Sequence, residues 1–434
     1  MIYRATWHAG QATWASCASC ASWSPALATV GTVQAAGSPG LPEADDGATG
    51  PPRPALTSDR AAAWAATMVG TITAEGIVLA HSPSDRPRAR ARAVTRQARE
   101  DGEALLLVPG ATRSSGAGYR AQPEEPDPLR TCFERDRDRI LHSSAFRRLA
   151  GKTQVFVFPR DHQRTRLTHA LEVAQVATAV ARATGLNVAL TEAIALGHDC
   201  GHGPGGHASE EAFSPYLADG YNHAIWGADV VLAPLNLCAE TLDGIRHHSW
   251  SLPSPATPEG AVVSWADRCA YCAHDLEDAA GVGIVDLDDL PGTVVEVAGR
   301  SRSSQLRCFV NALVDCITTT GEIGMHQPFA GALAELRAFN YERIYTRPSS
   351  IAQGRAVIAV LSALVEYFAD HPERLQGAGR RSEAPPDALP DGGRGAVLRR
   401  SIAYVSGMTD RFAFETAVEL LGWPVGSLPR SVAG

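Results

Sequence analysis

The sequence predicts an all-α protein, and three observations support this fold class. From about residue 126 onward, apolar residues recur at helical spacing in segments that glycine or proline ends. Gly185 and Asn187 stand where a helix end and the cap of a following helix belong. Long runs that alternate Val, Ile or Thr with polar residues are scarce, and the sequence shows no internal repeat. We therefore expect a core of helices packed on helices.

The N-terminal region, residues 1–125, is rich in Ala, Gly, Pro, Ser and Arg and has no sustained helical period. This composition predicts a low-complexity, disordered extension. Arg4 and the Ala-rich stretch behind it resemble a signal peptide, but polar residues interrupt the apolar part. A second hypothesis is that translation starts near Met68, so that residues 1–67 are not translated. The intact mass of protein from its native host would decide between the two.

The predicted core covers residues 126–370. Its clearest helix is "RLTHALEVAQVATAVARATG", where an apolar stripe leads to Gly185. Asn187 then caps "NVALTEAIALGHDCG", which stops at the glycines and leaves His198 and Asp199 at a helix end. Another helix, "SWADRCAYCAHDLEDAAG", ends at Gly281. Further segments read as helices at 305–320, 328–343 and 351–370, followed by a flexible Pro/Gly-rich loop at 371–395 and a helical C-terminal segment at 396–434 with a helix near 396–421.

The bulk composition limits the function classes. A net charge of −8 and a pI near 6.0 argue against a protein held on duplex DNA mainly by phosphate contacts, although a local basic pocket for a small anion is compatible with them. Nine cysteines without a dense spacing pattern indicate reduced thiols. No apolar run looks long enough to span a bilayer. We expect a cytoplasmic protein with no membrane partner.

Metal binding is the first chemistry that the sequence suggests, because ten of the 14 histidines lie within 142–274. His198 and Asp199 are neighbours at a helix end, where both side chains can converge on one ion. His169 on the preceding helix and Asp267 on the later one are the best candidates to complete the set. Two histidines and two carboxylates with open positions suit a catalytic divalent ion, since closed structural zinc sites favour thiolates.

Several motifs occur here in one order, and together they carry a resemblance to a known family. They are "FERDRDRILHSSAFRRLAGKTQVF", "RTRLTHALEVAQVA", "GHDCGHGPGGHASEEAF", "DGIRHHSW" and "EGAVVSWADRCAYCAHDLED". The chain resembles the HD-domain phosphohydrolases, and within them the bacterial deoxyguanosine triphosphate triphosphohydrolase-like proteins, over residues 130–420. The resemblance implies an HD-domain helical core with additional C-terminal helices.

The same resemblance implies an activity and its site. The family hydrolyses a deoxynucleoside triphosphate to deoxynucleoside and tripolyphosphate, with water attacking the α-phosphorus. One divalent metal ion is implied, whose identity (Mg, Mn, Fe or Co) the sequence does not distinguish. Oligomers are common among relatives, so a homo-oligomer is expected, and the helices around 337–348 are a candidate contact surface. The implied metal ligands are His169, His198, Asp199 and Asp267, and the implied catalytic histidines are His202, His207 and His223.

Substrate-binding residues are predicted on both sides of the metal ligands. Asp267, Tyr271 and Asp275 share one helix face, so Tyr271 can pack against a deoxyribose and Asp275 can accept from a sugar hydroxyl or orient an imidazole. Arginine suits phosphate oxygens, and two arginines are closely tied to the ligands. The "GKTQ" segment matches the part of the family that lines the nucleotide pocket. The remaining predicted contacts are Lys152, Gln154, Arg166 and Arg268.

Other motifs and functions receive less support. Gly201, Gly203 and Gly206 satisfy G-x-G-x-x-G but follow a helix, and the first P-loop glycine position holds Phe146. The two C-x-x-C pairs read as incidental or core cysteines. The alternatives are another HD-type metal phosphohydrolase, such as a nucleotidase or cyclic-nucleotide phosphodiesterase, or a non-catalytic nucleotide sensor or single-strand nucleic-acid binder. The loop "GHGPGGH" has glycines where many relatives carry an aromatic, which weakens a specific assignment to dGTP.

Overall fold

The computed structural model describes residues 70–81, 89–159, 162–375 and 393–429. The chain divides into two units, residues 1–90 and 91–434. In the first, the strands β1 (Thr71–Ile72) and β2 (Val78–Leu79) form a two-stranded antiparallel sheet. In the second, the secondary-structure elements of the described residues are helices and helical turns, which confirms the predicted all-α class.

The helices of the second unit follow one another with short connections. They are α1 (Arg96–Leu106), α2 (Cys132–His142), α3 (Ser144–Arg148), α4 (Arg166–Thr184), α5 (Val188–Gly197), α6 (Ala208–Phe213), α7 (His223–Trp226), α8 (Ala239–Arg246), α9 (Pro258–Gly281), α10 (Gly292–Ala298), α11 (Arg302–Thr320), α12 (Gln327–Asn340), α13 (Pro348–Asp370), α14 (Arg394–Ser406) and α15 (Asp410–Leu421). Short 3₁₀ or π turns lie at Leu149–Gly151, Ser214–Tyr216, Gly227–Val231, Ala233–Leu235, Leu287–Asp289, Tyr341–Tyr345, Pro372–Leu375 and Val425–Ser427.

The helices that carry the site begin and end as the sequence predicts. Gly185 ends α4 with φ of 71°, in the left-handed region that glycine adopts without a steric penalty. The Asn187 side chain accepts from the Leu190 amide and so caps α5. Thr257 caps α9 in the same way at Gly260, with Pro258 in the first turn. These ends place His198 directly after α5 and Asp267 in the middle of α9.

Two hydrophobic clusters form the interior. The first packs α2, α4, α5, α9, α11 and α12 together, with the end of α5 buried at residues 193–197. The second joins α6, α13, α14 and α15 through Phe213, Val357 and Phe414. The loop between α5 and α6 connects one cluster to the other. The histidine-rich and glycine-rich segment therefore lies where the two packed groups of helices meet.

The region before α2 differs from the expected disordered extension. Within 89–125 the structure has the helix α1 and a strap behind it that is held by carboxylates. Glu103 accepts from the Ser114 amide at 2.6 Å and the Ser114 hydroxyl at 2.7 Å. Glu259 accepts from the amide and hydroxyl of Thr112. These anchors are polar contacts to distant side chains, which apolar periodicity does not reveal. Residues 1–69 of the predicted extension lie outside the described residues, and so does the hypothesis of a start near Met68.

The C-terminal part differs in one boundary. The expected helix near 396–421 is two helices, because α14 ends at Gly407 and the Thr409 hydroxyl accepts from the Phe412 amide to start α15. Most of the predicted loop at 371–395 lies outside the described residues.

One helix has the length and composition of a membrane span. The 23-residue helix α13 meets both criteria, which the sequence reading did not expect. Its residues Val357, Val360, Leu361, Leu364, Val365 and Phe368 are buried in the second cluster. A core helix of a globular domain has the same composition, and this packing gives α13 that role in the described unit.

Candidate metal centre and nucleotide pocket

A cavity of about 900 Å³ lies beside the loop between α5 and α6. Its walls come from residues 153–157 after α3, the start of α4, α7, α9, the end of α12 and the start of α13. Of the thirteen residues that the sequence predicts for the site, eleven line it. They are His169, Asp199, Asp267, His202, His207, His223, Gln154, Arg166, Arg268, Tyr271 and Asp275.

The four predicted metal ligands lie together at one end of the cavity. His169 Nε2 is 3.0 Å from Asp267 Oδ1 and 3.8 Å from Asp199 Oδ2. His198 Nε2 is 3.5 Å from Asp199 Oδ1 and 3.7 Å from Asp267 Oδ1. Ligand atoms around a single ion have separations of this size, since each lies about 2.0–2.2 Å from it. Two overlapping groups of three ligand atoms within 4.8 Å of one another contain all four residues, and the group with His198 and Asp267 also includes His248.

The tautomer of His198 prepares it to be a ligand. Its Nδ1 lies 2.7 Å from the Ala195 carbonyl oxygen, which can only accept, so Nδ1 carries the hydrogen. In the neutral form of this ring, the lone pair is therefore on Nε2. That atom is fully buried and has no hydrogen-bond partner in the described chain. A buried lone pair that faces two carboxylates needs a cation, so the residues present fit a divalent ion.

The carboxylates of this set are held ionised. Burial raises the pKa of Asp199, but Arg166 and the imidazoles of His198 and His202 hold it well below its usual range. Arg166 donates from Nη1 to Asp199 Oδ2 at 2.6 Å. Burial likewise opposes ionisation of Asp267, yet the hydrogen bond from His169 and the nearby His198 lower its pKa to about 2. Both groups are therefore negative at neutral pH, as metal ligands must be.

A second group of imidazoles surrounds Glu210, in the first turns of α6. Glu210 Oε1 is 2.8 Å from His223 Nδ1, 3.0 Å from His207 Nδ1 and 3.9 Å from His202 Nδ1. The rings of His202 and His223 are stacked with centroids 3.7 Å apart. Burial opposes ionisation of Glu210, but the hydrogen bonds from His207 and His223 hold its pKa well below the usual range. We call His202, His207, Glu210 and His223 the Glu210 cluster.

Hydrogen-bond geometry determines where the protons of this cluster lie. His248 Nδ1 faces the Ile245 carbonyl at 2.8 Å and so carries a hydrogen. Burial, with His198 and His223 nearby, lowers the pKa of His248 to about 3, so its Nε2 is a lone pair at neutral pH. His223 Nε2, 3.2 Å away, must then be the donor between the two rings. The contact from His223 Nδ1 to Glu210 therefore contains one further positive charge, either a proton or another cation.

His202 connects the two groups. Its Nε2 is 3.2 Å from Asp199 Oδ1, and its Nδ1 is buried without a hydrogen-bond partner among the described residues. Burial, with Arg166 and His223 nearby, lowers the pKa of His202 well below its ordinary value. The ring is neutral at pH 7. It therefore donates to Asp199 and directs a lone pair toward Glu210.

Close packing explains the glycines that surround these histidines. A Cβ on Gly201 would lie 2.0 Å from the His223 carbonyl oxygen and 2.5 Å from the Gly227 amide nitrogen. Gly206 has a φ of 64°, and a Cβ there would lie 2.9 Å from Arg166 Nη2. The loop can therefore hold its histidines against α7 and Arg166 only without side chains at these positions.

The other end of the cavity holds aromatic and charged groups. Asp275 forms contacts with the Arg164 guanidinium and the Tyr345 hydroxyl. The Tyr271 hydroxyl accepts from Arg337 Nε at 2.8 Å. Arg268 stacks over the Trp250 ring at 3.4 Å from its centroid, and no described residue forms a salt bridge with it. These groups form a cationic and hydrogen-bonding wall that starts about one turn from Asp267.

The structure separates the two predicted residues of the "GKTQ" segment. Gln154 lines the cavity, and its buried Oε1 has no partner in the described part of the chain. Lys152 lies outside it, where its buried ammonium donates to the carbonyl oxygens of His202 and Ser406. The structure thus gives Lys152 a packing contact beneath the loop instead of the predicted place on a nucleotide wall. His198 is fully buried and does not line the cavity, whereas its neighbour Asp199 does.

Sequence reasoning missed five residues of this site: Glu210, His248, Arg164, Arg337 and Tyr345. The histidine pair in "DGIRHHSW" and the acid three residues after His207 were available signals for two of them. Arg337 and Tyr345 belong to the 337–348 segment that the sequence suggested as a subunit contact, and both line the cavity. The C-x-x-C pair at Cys269 and Cys272 is fully buried, in agreement with the core interpretation.

Comparisons with known proteins agree with this geometry. The HD domain family matches residues 166–272, which contain all four predicted metal ligands, and the phosphohydrolase-associated domain family matches residues 323–419. A deoxyguanosinetriphosphate triphosphohydrolase-like protein of Caldanaerobacter subterraneus subsp. tengcongensis is 39% identical over 329 residues, which cover 73% of this chain and 93% of the relative. The chain belongs to the deoxyguanosinetriphosphate triphosphohydrolase-like family of HD-domain proteins.

Two further members of the family show the same extent of similarity. The protein of the same name from Desulfatibacillum aliphaticivorans is 38% identical over 72% of this chain and 94% of its own. That from Clostridium tetani is 36% identical over 72% of this chain and 92% of its own. As an HD-domain protein of this family, the chain is a metal-dependent phosphohydrolase, and its His and Asp groups at the end of the cavity can hold the ion.

Proposed function

We propose that the protein hydrolyses deoxynucleoside triphosphates to deoxynucleoside and tripolyphosphate. The observation that carries this proposal is the single cavity that joins the metal-ligand set to Arg166, Arg268, Arg337 and a sugar-sized wall of hydroxyl and carboxylate groups. Guanidinium groups recognise phosphate oxygens, and the names of the relatives point to a nucleoside triphosphate.

The metal site consists of His169, His198, Asp199 and Asp267. A bound divalent ion would supply Lewis-acid polarisation of the phosphoryl group and lower the pKa of water. Arg166 keeps Asp199 in place through Nη1, while its buried Nε has no partner in the described chain and is available to a phosphate oxygen. Arg268 and Arg337 supply further positive charge along the same wall.

The Glu210 cluster handles protons beside this set. His223 contacts Glu210 through Nδ1 and lines the cavity, so the pair can supply a proton to the 5′ oxygen of the leaving deoxynucleoside. His207, three residues before Glu210 on the same side of the cavity, is 76% exposed in its side chain and can exchange that proton with solvent. His202 is the neutral ring that donates to Asp199 and keeps this carboxylate oriented.

The sugar is assigned to the opposite end. Asp275 lies eight residues after Asp267 on α9, which places it about 12 Å further along the helix. The Tyr345 hydroxyl and Arg164 fix Asp275, and its remaining acceptor capacity can serve a sugar hydroxyl. Tyr271 packs beside it. Gln154, whose carbonyl oxygen is buried and unpaired in the described chain, is available to the nucleoside.

Product analysis tests the proposal. The purified chain is incubated with each of the four deoxynucleoside triphosphates in Mg²⁺, Mn²⁺ or Co²⁺, and the products are separated by ion-exchange chromatography. We expect tripolyphosphate and deoxynucleoside in equal amounts. Release of pyrophosphate or orthophosphate would instead point to another HD-type phosphohydrolase, and binding without products would support a nucleotide sensor.

A pair of variants on α9 ties the products to the metal site. Asp267→Asn removes a charged ligand, so we expect loss of the tightly bound ion and a fall in turnover of at least about 100-fold. Glu277→Gln on the same helix changes an exposed carboxylate that pairs with Arg302 and should leave both unchanged. Equal activity of the two variants would refute the ligand assignment.

A further inference from the structure

The Glu210 cluster offers four potential metal-ligand atoms, whereas sharing a proton needs only two of them. His202, His207, Glu210 and His223 form a group whose four ligand atoms lie within 4.8 Å of one another. Three imidazoles and one carboxylate are a ligand set that suits zinc and related transition metals better than magnesium. The group is separate from the four HD ligands, and His202 lies between the two sets.

The distances around Glu210 Oε1 are comparable with the edges of a tetrahedral site. A tetrahedral ion with ligands at about 2.0–2.2 Å separates its ligand atoms by about 3.3–3.6 Å. The three Nδ1 atoms lie 2.8, 3.0 and 3.9 Å from Glu210 Oε1. These separations lie on either side of the tetrahedral values. The rings of His202 and His223 are stacked, and both present Nδ1 to Glu210 Oε1.

The hydrogen bonds around the group leave lone pairs on the inner nitrogens. His202 donates through Nε2 to Asp199, so its buried Nδ1 is an unpartnered lone pair in the described chain. His223 donates through Nε2 to His248, whose own Nδ1 is used by the Ile245 carbonyl. The His223 Nδ1 therefore also becomes a lone pair whenever a cation other than a proton lies before Glu210. These outer contacts orient the rings as metal ligands are oriented elsewhere.

We propose that His202, His207, Glu210 and His223 form a second metal site that takes a zinc-like transition-metal ion. The exposed His207 gives the ion a path from the cavity, since its ring lies at the opening while the other two rings are buried. Under the proposed function, an ion held by His223 and Glu210 occupies the ring nitrogen that serves the leaving group. Filling of this site therefore inhibits hydrolysis.

Metal stoichiometry tests the site without substrate. Untagged full-length protein is dialysed against Zn²⁺, passed through a desalting column and analysed by inductively coupled plasma mass spectrometry. We expect two ions per wild-type chain, and one in Glu210→Gln and in His223→Ala, with at least a ten-fold weaker second binding step. Glu211→Gln, an exposed neighbour on α6, is the matched control and should keep two.

Two further measurements keep the outcome unambiguous. Asp267→Asn should lose the HD ion but keep the second, and Co²⁺ in that variant should show the strong visible absorption of a four-coordinate ion. One ion in the wild type, or a second ion that survives in both cluster variants, overturns the proposal. If Zn²⁺ fills the second site without inhibiting hydrolysis, the metal site stands and the proton role given to His223 is refuted.

Discussion

Gly201→Ala is the substitution that tests most directly how the loop geometry supports the site. The added Cβ would lie 2.0 Å from the His223 carbonyl oxygen, 2.5 Å from the Gly227 amide nitrogen and 2.7 Å from the Gly227 Cα. Since real Cβ atoms essentially never approach closer than 3.0 Å, the loop and α7 must separate by about 1 Å. All three contacts are backbone atoms, so no side chain can rotate away to relieve them.

The expected cost follows from this displacement. Overpacking of a well-packed interior costs about 1–3 kcal/mol, so the free energy of unfolding should fall by about 2–3 kcal/mol. His223 belongs to α7 and moves with it, away from Glu210 and His202. A misplacement of about 1 Å in an active site costs about 100-fold in rate. We therefore expect a fall in kcat/KM of about two orders of magnitude in a chain that still folds.

Urea unfolding followed by circular dichroism, together with the product assay, measures both effects. Gly331→Ala is the matched control, because this glycine lies inside α12 with no heavy atom within 4 Å of an added Cβ. Alanine there should raise stability by up to about 1 kcal/mol and leave turnover unchanged. If Gly201→Ala has the stability and kcat/KM of the wild type, the close approach of loop and α7 does not set the site, and the reasoning fails.

Two more predictions concern the contacts beneath the loop. Asp410→Asn turns one acceptor oxygen into a donor that faces the amide of Thr153 or Gly205. We expect the free energy of unfolding in urea to fall by about 2–3 kcal/mol. The exposed Glu415→Gln on the same helix should change it by less than about 0.5 kcal/mol. Burial, with Arg148 nearby, lowers the pKa of Lys152 to about 7, below the value of 10.5 for a free lysine. Between pH 7 and 10.5 the unfolded chain therefore binds more protons than the folded chain. The free energy of unfolding contributed by this group rises with pH in that window. Lys152→Met should flatten the rise by up to about 4 kcal/mol between pH 7 and 10, and equal slopes in wild type and variant would show that the ammonium is not desolvated in the folded chain.

Local rules were sufficient to predict the helices that carry the metal ligands. Glycine at a helix end and asparagine at a helix start are short-range signals, so Gly185 and Asn187 fixed where α4 ends and α5 begins. The order of the ligands on successive helices then predicted a common cluster. The structure brings those four side chains together, because α4, α5 and α9 pack on one another in the first hydrophobic cluster.

Long-range contacts explain what the sequence did not reveal. Lys152 is close in sequence to Gln154, but only Gln154 reaches the cavity. The Lys152 ammonium instead donates to the carbonyl oxygen of Ser406, more than 250 residues away. Arg337 and Tyr345 reach the cavity only because α12 packs beside α9, which no local pattern encodes. The strap near Thr112 is held by Glu259 in the same manner. Such polar contacts between distant segments have no periodic signature.

The loop between α5 and α6 is shaped by both parts of the chain. Asp410 accepts from the Gly205 amide at 2.9 Å and from the Thr153 amide at 3.0 Å, and so joins the loop and the segment that contains Thr153 to α15. A Cβ on Gly205 would meet Val357 of α13 at 2.4 Å. Lys152 ties the His202 carbonyl to the end of α14. Residues 166–272 hold the predicted metal ligands, yet residues of the phosphohydrolase-associated region fix the loop that carries His202 and His207. Because preorganisation of this loop sets both the proton network and the second metal site, substitutions in α13–α15 should alter the chemistry of the HD region without touching any of its ligands.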